Sequence, residues 1–336
     1  MAPTLPTRAL GKNGPQVTAL GFGCMGLSAF YGAPLPDDQR FAVLDAVYAS
    51  GERFWDTADV YMDNEDLLGA WFRANPGKRE TIFLCTKFAA TPDGPRSDPA
   101  YAKQACDRSL KRLGTTWIDL YYMHRSDRKT PIEKTVQAMA ELKAEGKIRH
   151  LGLSEVSATT LRRAYAVHPI AAAQMEYSPF ALEIESPQTR FLATARELGV
   201  AIVAYSPLRR GLMTGQYKSP DDFPADDWRR NVPRFSRENF PKNLALVDKI
   251  VSLARAKGCT PGQLTLAWLM AQWEGVIPIP GTTKVARFEE NMGALTVKVS
   301  SEEEKEIREA IESAEVVGAR YPEQMMEMTF ADTPEL

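Results

Sequence analysis

Four side chains in this sequence have the types and the placement for proton transfer: Asp56, Tyr61, Lys87 and His124. Asp56 ends the short apolar run Phe54-Trp55, and Tyr61 follows it in the segment FWDTADVYMDNEDLLG. Lys87 closes an apolar run over residues 81–86, and His124 follows another over 118–123. A tyrosine with its ordinary pKa of ~10 is a poor acid at neutral pH. A neighbouring ammonium lowers that value by favouring the phenolate, whereas burial alone raises it. A carboxylate beside the lysine keeps the lysine charged against desolvation, and a histidine can orient a carbonyl oxygen or pass on a proton. Each residue also has a plainer reading. Asp56 could cap the turn that follows, Tyr61 could be a packed aromatic, and His124 could be a satisfied core histidine. Lys87 is harder to dismiss, because a buried lysine needs a partner. The joint placement at successive strand ends is what favours chemistry.

The elements that must hold these residues alternate along the chain. A hairpin is expected over residues 5–17, with its turn at Gly11-Lys12-Asn13-Gly14, followed by an apolar strand from Val17 to Gly23. Further strands are expected at 54–56, 81–86, 118–123, 148–153, 171–173, 200–204 and 276–279, each followed by a helical pattern. The first helix should turn Phe41, Leu44 and Tyr48 inward. Capping boxes are expected at Thr130–Glu133, Thr260–Gln263 and Ser301–Glu304. The long polar, proline-rich stretch from Ser206 to Lys242 shows no period and suits a functional lid. The tail after Gly318 reads as irregular. This is an α/β pattern of eight βα units, which closes as a (β/α)8 TIM barrel; an open doubly wound sheet with an extra lobe is the alternative. The expected organisation is one domain over 1–336, with the hairpin at 5–17, the barrel at 17–295, and a C-terminal helix and tail at 296–336. In a closed barrel Asp56, Tyr61, Lys87, His124, Ser154, Gln174 and Tyr205 all lie on the rim where sites form.

Composition narrows the partners. The 336 residues are 44% hydrophobic and 25% charged with a net charge of −2, which gives no general attraction to nucleic acid or to an anionic membrane. No apolar run is long enough to span a bilayer and no leader pattern precedes the hairpin, so the cytoplasm is the expected compartment. Cys24, Cys85, Cys106 and Cys259 are scattered, and the three histidines show no metal-ligand spacing, so neither a disulfide framework nor a metal is expected. Gly21, Gly23 and Gly26 match G-x-G-x-x-G after a strand, but loop residues follow where a dinucleotide-binding helix should open.

The segments DTADVYMDNEDLLG, LCTKFAA, DLYYMHRSD, HLGLSEVS, QMEYSPF, AYSPLRRGLMTG and IPGTTKVARFEEN together resemble the aldo-keto reductase superfamily, from about Arg8 to Leu295. The resemblance extends to the plant and fungal branch with pyridoxal reductase-like and alkaloid-aldehyde reductase-like members. It implies a TIM barrel that reduces aldehydes or ketones with NADPH, favoured over NADH. It also implies a small-molecule carbonyl substrate, and leaves the oligomeric state open. By this resemblance Tyr61 is the general acid, Lys87 lowers its pKa, Asp56 pairs with Lys87, and His124 positions the carbonyl. Gly23, Cys24, Met25 and Asp56 would lie against the cofactor. Ser154 and Gln174 would take the carboxamide, and Tyr205 the nicotinamide face. Ser206, Leu208, Arg210 and Gly211 would open the loop over the pyrophosphate. Gly281, Thr282, Thr283, Lys284 and Arg287 would surround the 2′-phosphate, with Glu290 and Asn291 at the adenine. Tyr31, Trp55 and Met62 are expected to shape an apolar substrate pocket. Glu155 stands where many members have asparagine, and Met62 where glycine is common. A second reading, a redox-sensing NADPH-binding regulatory subunit with little turnover, rests on relatives that serve as channel β-subunits. The absence of an extended arm before residue 5 counts against it.

Overall fold

Alternation of side chains along each strand sorts this chain into two packed layers. In the computed structural model, which describes residues 4–336, β1 (Thr7–Ala9) and β2 (Gln16–Thr18) pair antiparallel as a hairpin, with Arg8 opposite Val17. Eight parallel strands follow, β3 (Phe22–Gly23), β4 (Phe54–Asp56), β5 (Phe83–Phe88), β6 (Ile118–Met123), β7 (Ile148–Ser154), β8 (Ala172–Glu176), β9 (Ala201–Tyr205) and β10 (Val276–Pro278), each beside the next. Gly21 N–H donates to Pro278 O at 2.9 Å and Gly23 N–H to Pro280 O at 3.2 Å, which closes the sheet into a barrel. Phe54, Cys85, Leu120, Tyr122, Val203 and Ile277 fill its interior, with Leu10 and Val17 of the hairpin as the floor. The residues between them, such as Trp55, Leu84 and Tyr121, face the helices. The period of two places Asp56 and Lys87 inside the barrel, two residues on from Phe54 and Cys85.

The helices are α1 (Asp37–Ala49), α2 (Asn64–Ala74), α3 (Pro99–Leu113), α4 (Ile132–Ala144), α5 (Ala158–Val167), α6 (Phe191–Leu198), α7 (Phe240–Lys257), α8 (Pro261–Gln272), α9 (Val285–Met292), α10 (Ser301–Glu312) and the short α11 (Glu323–Met326). Asp98 caps α3 as expected, and the Thr260–Gln263 box forms on α8. Among the described residues no helix is long and apolar enough to cross a membrane.

Several expectations are corrected. The run Val17–Gly23 is two strands, because Thr18 ends the hairpin and the chain bends before Phe22 enters the barrel. The buried face of α1 is Arg40, Val43, Leu44 and Val47, leaving Phe41 and Tyr48 at its margin. No box forms at α4: Asp127 accepts the N–H groups of Lys129 and Thr130 and the Thr130 hydroxyl, which takes that side chain away from the helix. The box of α10 lies one residue earlier, at Ser300 and Glu303. The stretch expected to lack structure contains four 3₁₀ turns, Arg209–Thr214, Pro220–Asp222, Trp228–Asn231 and Pro233–Phe235, anchored by buried Leu212, Phe223 and Phe235. The tail is also ordered: Ala331 bridges Val156 in parallel, just past β7. After Gly23 there is only the three-residue turn Met25–Leu27, so no helix opens on the glycine motif. Those glycines serve closure instead. A Cβ on Gly281 would stand 2.6 Å from Gly23 O, and one on Gly23 would stand 2.8 Å from Ile279 O.

Candidate active site

Consecutive strand ends bring the four expected residues together. Lys87 is wholly buried, and its Nζ donates to Asp56 Oδ1 at 2.5 Å, to Thr57 O at 2.7 Å and to Tyr61 Oη at 3.4 Å. All three ammonium protons therefore have acceptors. Gln174 Nε2 donates to the other Asp56 oxygen at 2.8 Å. The His124 ring meets the Tyr61 ring edge to face, centroids 5.8 Å apart, and His124 Nδ1 is buried without a partner.

The charges follow from this packing. Burial pulls the Lys87 ammonium down, but Asp56 and Tyr61 outweigh it, so the lysine stays charged. Burial pushes the Asp56 carboxyl up, with Lys87 and Gln174 holding it back. We read the pair as ionised, since both Asp56 oxygens accept hydrogen bonds. Burial holds His124 well below the usual imidazole range, helped by Arg125 and Lys87. As expected, Lys87 lowers the Tyr61 pKa, but burial raises the phenol further, so the net shift is upward. Tyr61 is thus a neutral phenol, with a cation poised beside its oxygen.

The loop carrying Tyr61 is held from three sides. Asn64, at the start of α2, accepts from Thr57 Oγ1 at 2.6 Å and donates to Cys24 O and Ser28 Oγ at 3.0 Å each. Arg112 of α3 donates to Asp59 O at 3.0 Å and to Met62 O, while pairing with Glu65 and Asp66. Arg40 pairs with Asp63 at 2.9 Å. Arg40 and Arg112 carry no signal in the sequence, whereas Thr57, Asp59, Asp63, Asn64, Glu65 and Asp66 all lie inside the opening motif.

The other expected residues divide. Ser154 and Gln174 reach the rim, but their polar groups are engaged: Arg125 donates to Ser154 Oγ at 3.1 Å, and Gln174 serves Asp56. Arg125, directly after His124, was also missed. Tyr205 is half-buried at the end of β9, and its hydroxyl donates to Glu155 Oε1 at 2.9 Å. Arg210, with φ +54°, lays its guanidinium 4.2 Å from the Trp228 ring centre and 4.9 Å from that of Tyr321, with Nη1 unpartnered. Arg229 is buried, pairs with Asp227 at 2.7 Å and donates to Arg210 O, so the basic run of the lid is partly internal. Ser206 and Gly211 lie on the turn after β9 at positive φ, and Leu208 packs toward α8. Cys24 turns its thiol into the core, so only its backbone faces the rim, while Met25 packs near Tyr61. Gly281, Thr282, Thr283 and Lys284 lead into α9, whose N-terminus has no side-chain cap. Arg287 meets Gln216 of the lid and lies 3.7 Å from Glu290, and Asn291 is buried beside them on the same helix.

One pocket assignment is corrected. Trp55 alternates outward and packs on Phe22, Trp71 and Phe72 between sheet and helices, away from the mouth. Met62, 71% exposed at φ +53°, lines an outer groove of about 630 Å³ with Phe30 and Val60. Tyr31 lies under Arg229 at the lid. The aromatic that does meet Tyr61 is Phe30, edge to face at 6.4 Å, and it meets Trp228 at the same distance. Trp228 in turn meets Tyr321 at 6.2 Å, which makes an aromatic rim.

Known proteins resemble this chain in sequence and in fold. The profile of the Aldo/keto reductase family matches residues 19–312. Among curated relatives, aldo-keto reductase str7 of Strobilurus tenacellus is 54% identical over 99% of each chain. Aldo-keto reductase yakc [NADP(+)] of Schizosaccharomyces pombe is 50% identical over 98% of each. Among solved structures, glycerol dehydrogenase AKR11B4 from Gluconobacter oxydans superposes with a TM-score of 0.82 at 27% identity, over 93% of this chain and 97% of that one. The chain therefore belongs to the aldo/keto reductase family of oxidoreductases, and is an enzyme of that class.

Proposed function

We propose that this chain, acting as one barrel domain, uses NADPH to reduce an aldehyde or ketone to the alcohol. The observation that carries the reading is the contact of Lys87 Nζ with both Asp56 and Tyr61 Oη inside the barrel mouth. NADPH, when bound, supplies the hydride from nicotinamide C4 to the carbonyl carbon. Tyr61 gives its proton to the oxygen as charge develops there, and Lys87 stabilises the phenolate that remains. His124, kept neutral, has an N–H to direct at the same oxygen. Asp56 holds Lys87 charged through the cycle.

The residues present fit the cofactor. Gly23 and Gly281 bring two backbones together without side chains, leaving the rim open above the seam. The unpartnered Arg210 Nη1 suits a pyrophosphate oxygen. The uncapped N–H groups of α9, with Thr282, Thr283, Lys284 and Arg287 around them, suit a phosphate dianion and so favour NADPH over NADH. Ser154 and Gln174 would hold the carboxamide, Tyr205 the ring face, and Glu290 and Asn291 the adenine. The rim of Phe30, Trp228 and Tyr321 favours a planar aromatic carbonyl substrate. NADPH and NADH oxidation, followed across a panel of aliphatic and aromatic aldehydes and ketones, tests this. Turnover with NADPH on aromatic aldehydes is expected; no turnover on any of them, despite cofactor binding, would overturn it.

A further inference from the structure

Beyond the proton-donating corner, the same mouth carries a second buried charge cluster. Glu155 follows β7 at φ +52°, a backbone state costly for a side chain with a Cβ, and it is wholly buried. It accepts from Arg320 at 2.8 and 3.3 Å, from the Glu176 N–H at 3.2 Å and from Tyr205 Oη at 2.9 Å, and the Tyr205 oxygen also meets Tyr321 Oη of the tail at 3.0 Å. Arg320 is 1% exposed and also reaches Glu176 at 3.4 Å, while Glu176 takes Arg209 on its other oxygen.

Arg320 comes from the tail, which is fixed on both sides of it. Asn243 exchanges two hydrogen bonds of 3.0 Å with the Val317 backbone, and Arg234 donates to Gly318 O at 2.9 Å. Farther on, Ala331 N–H donates to Glu155 O at 2.9 Å, and Arg163 donates to Thr333 O at 2.9 Å. The tail is thus a strap across the mouth with one guanidinium turned inward.

We infer that Arg320 is a positioning residue for the cofactor face: it fixes Glu155, and Glu155 fixes the Tyr205 hydroxyl, so the C-terminal strap sets the ring on which the nicotinamide rests. This rests on the functional reading above, which gives Tyr205 that role. The geometry favours it over simple fastening of the tail. Arg163 and Asn243 fasten the strap without touching Glu155, whereas Arg320 spends its bonds on the two carboxylates at the strand ends. A carboxylate at 155 takes four hydrogen bonds on its two oxygens, Arg320 and Tyr205 among them, where an amide has a single acceptor oxygen.

The test measures NADPH affinity by fluorescence titration, and hydride transfer in a single turnover, on the full chain. Arg320→Met and Glu155→Gln are expected to weaken NADPH binding about tenfold, the scale of one charge-assisted hydrogen bond. Arg320→Lys should recover part of the loss, and Arg163→Met should leave affinity unchanged. In a Tyr205→Phe background the effect of Arg320→Met should largely vanish, because the hydroxyl through which it acts is gone. An equal effect in both backgrounds, or an equal effect of Arg163→Met, would overturn the relay and leave Arg320 a fastener. If Arg320→Met does not fold, the neutral pair Arg320→Met/Glu155→Gln carries the same expectations. Absence of NADPH binding by the unaltered protein would overturn the functional reading itself, and this inference with it.

Discussion

Two buried charge clusters share the mouth of this barrel, and they are satisfied in opposite ways. At the ends of β4 to β6 one lysine meets one carboxylate and the Thr57 carbonyl, and its third proton points at the Tyr61 phenol. At the ends of β7 to β9, Glu155 and Glu176 face Arg320 and Arg209, and most of the charge is answered within the cluster. Buried ion pairs contribute little net stability, because desolvation offsets attraction. The difference therefore lies in where the spare hydrogen-bond capacity goes. The first cluster aims it at a proton, the second at the orientation of an aromatic ring.

That contrast can be broken by substitution. Tyr61→Phe should lose on the order of 10²–10⁴ in turnover, the scale of a removed general acid, with NADPH affinity and melting behaviour kept. Near-normal turnover would remove the chemical role from the first cluster. Lys87→Met and Glu176→Gln each leave a buried charge without its partner, so urea denaturation should show losses of about 3–5 kcal/mol for both. Only Lys87→Met should abolish turnover as well; a comparable loss of turnover in Glu176→Gln would mean that the two clusters do the same work.

The pH dependence sharpens the comparison further. His124 sits well below its unfolded pKa of ~6.5, so the unfolded chain binds the extra proton first. Its contribution to stability is present above that value and is lost as pH falls below it, by up to about 1.4 kcal/mol per pH unit. His124→Gln should flatten that slope in denaturation curves as pH falls below ~6.5. At the barrel floor, Glu52 accepts from Thr18 Oγ1 and Phe54 N–H with one oxygen, while the other is unpartnered. Burial pushes its carboxyl up to about 8. Here the folded state holds the proton more tightly, so stability is greatest below the unfolded pKa of ~4.3 and declines as pH rises toward 8. Glu52→Gln should remove that decline and leave turnover unchanged; an effect on turnover would show that the floor and the mouth are coupled.

The first cluster was legible in the sequence because local rules build it. Period-two alternation turns Asp56 and Lys87 inward, and each strand end leads directly into its loop. The same rule should have rejected Trp55, which stands one residue before Asp56 and must face the helices. The second cluster was not legible. Arg320 lies 165 residues from Glu155, in a tail with neither strand nor helix period, and nothing local marks it as buried. Glu155 registered only as a departure at its position, without its partners. The Thr130 box failed for a related reason: Asp127, three residues earlier, competes for the hydroxyl that the box requires.

The closing seam of the barrel has a thermodynamic consequence. β3 contributes only Phe22 and Gly23, and across the seam it meets Pro278 and Pro280, which accept hydrogen bonds but have no N–H to return. This junction should be the first part of the barrel to breathe, with the Gly21 and Gly23 amides exchanging with solvent sooner than those between β5 and β6. Its two edges continue into Gly23–Met25 on one side and Gly281–Lys284 on the other, the segments assigned to the dinucleotide. A ligand spanning them would act as a staple. Part of its binding energy would then appear as slowed amide exchange along one line of the barrel, and as a higher melting temperature that rises with ligand concentration.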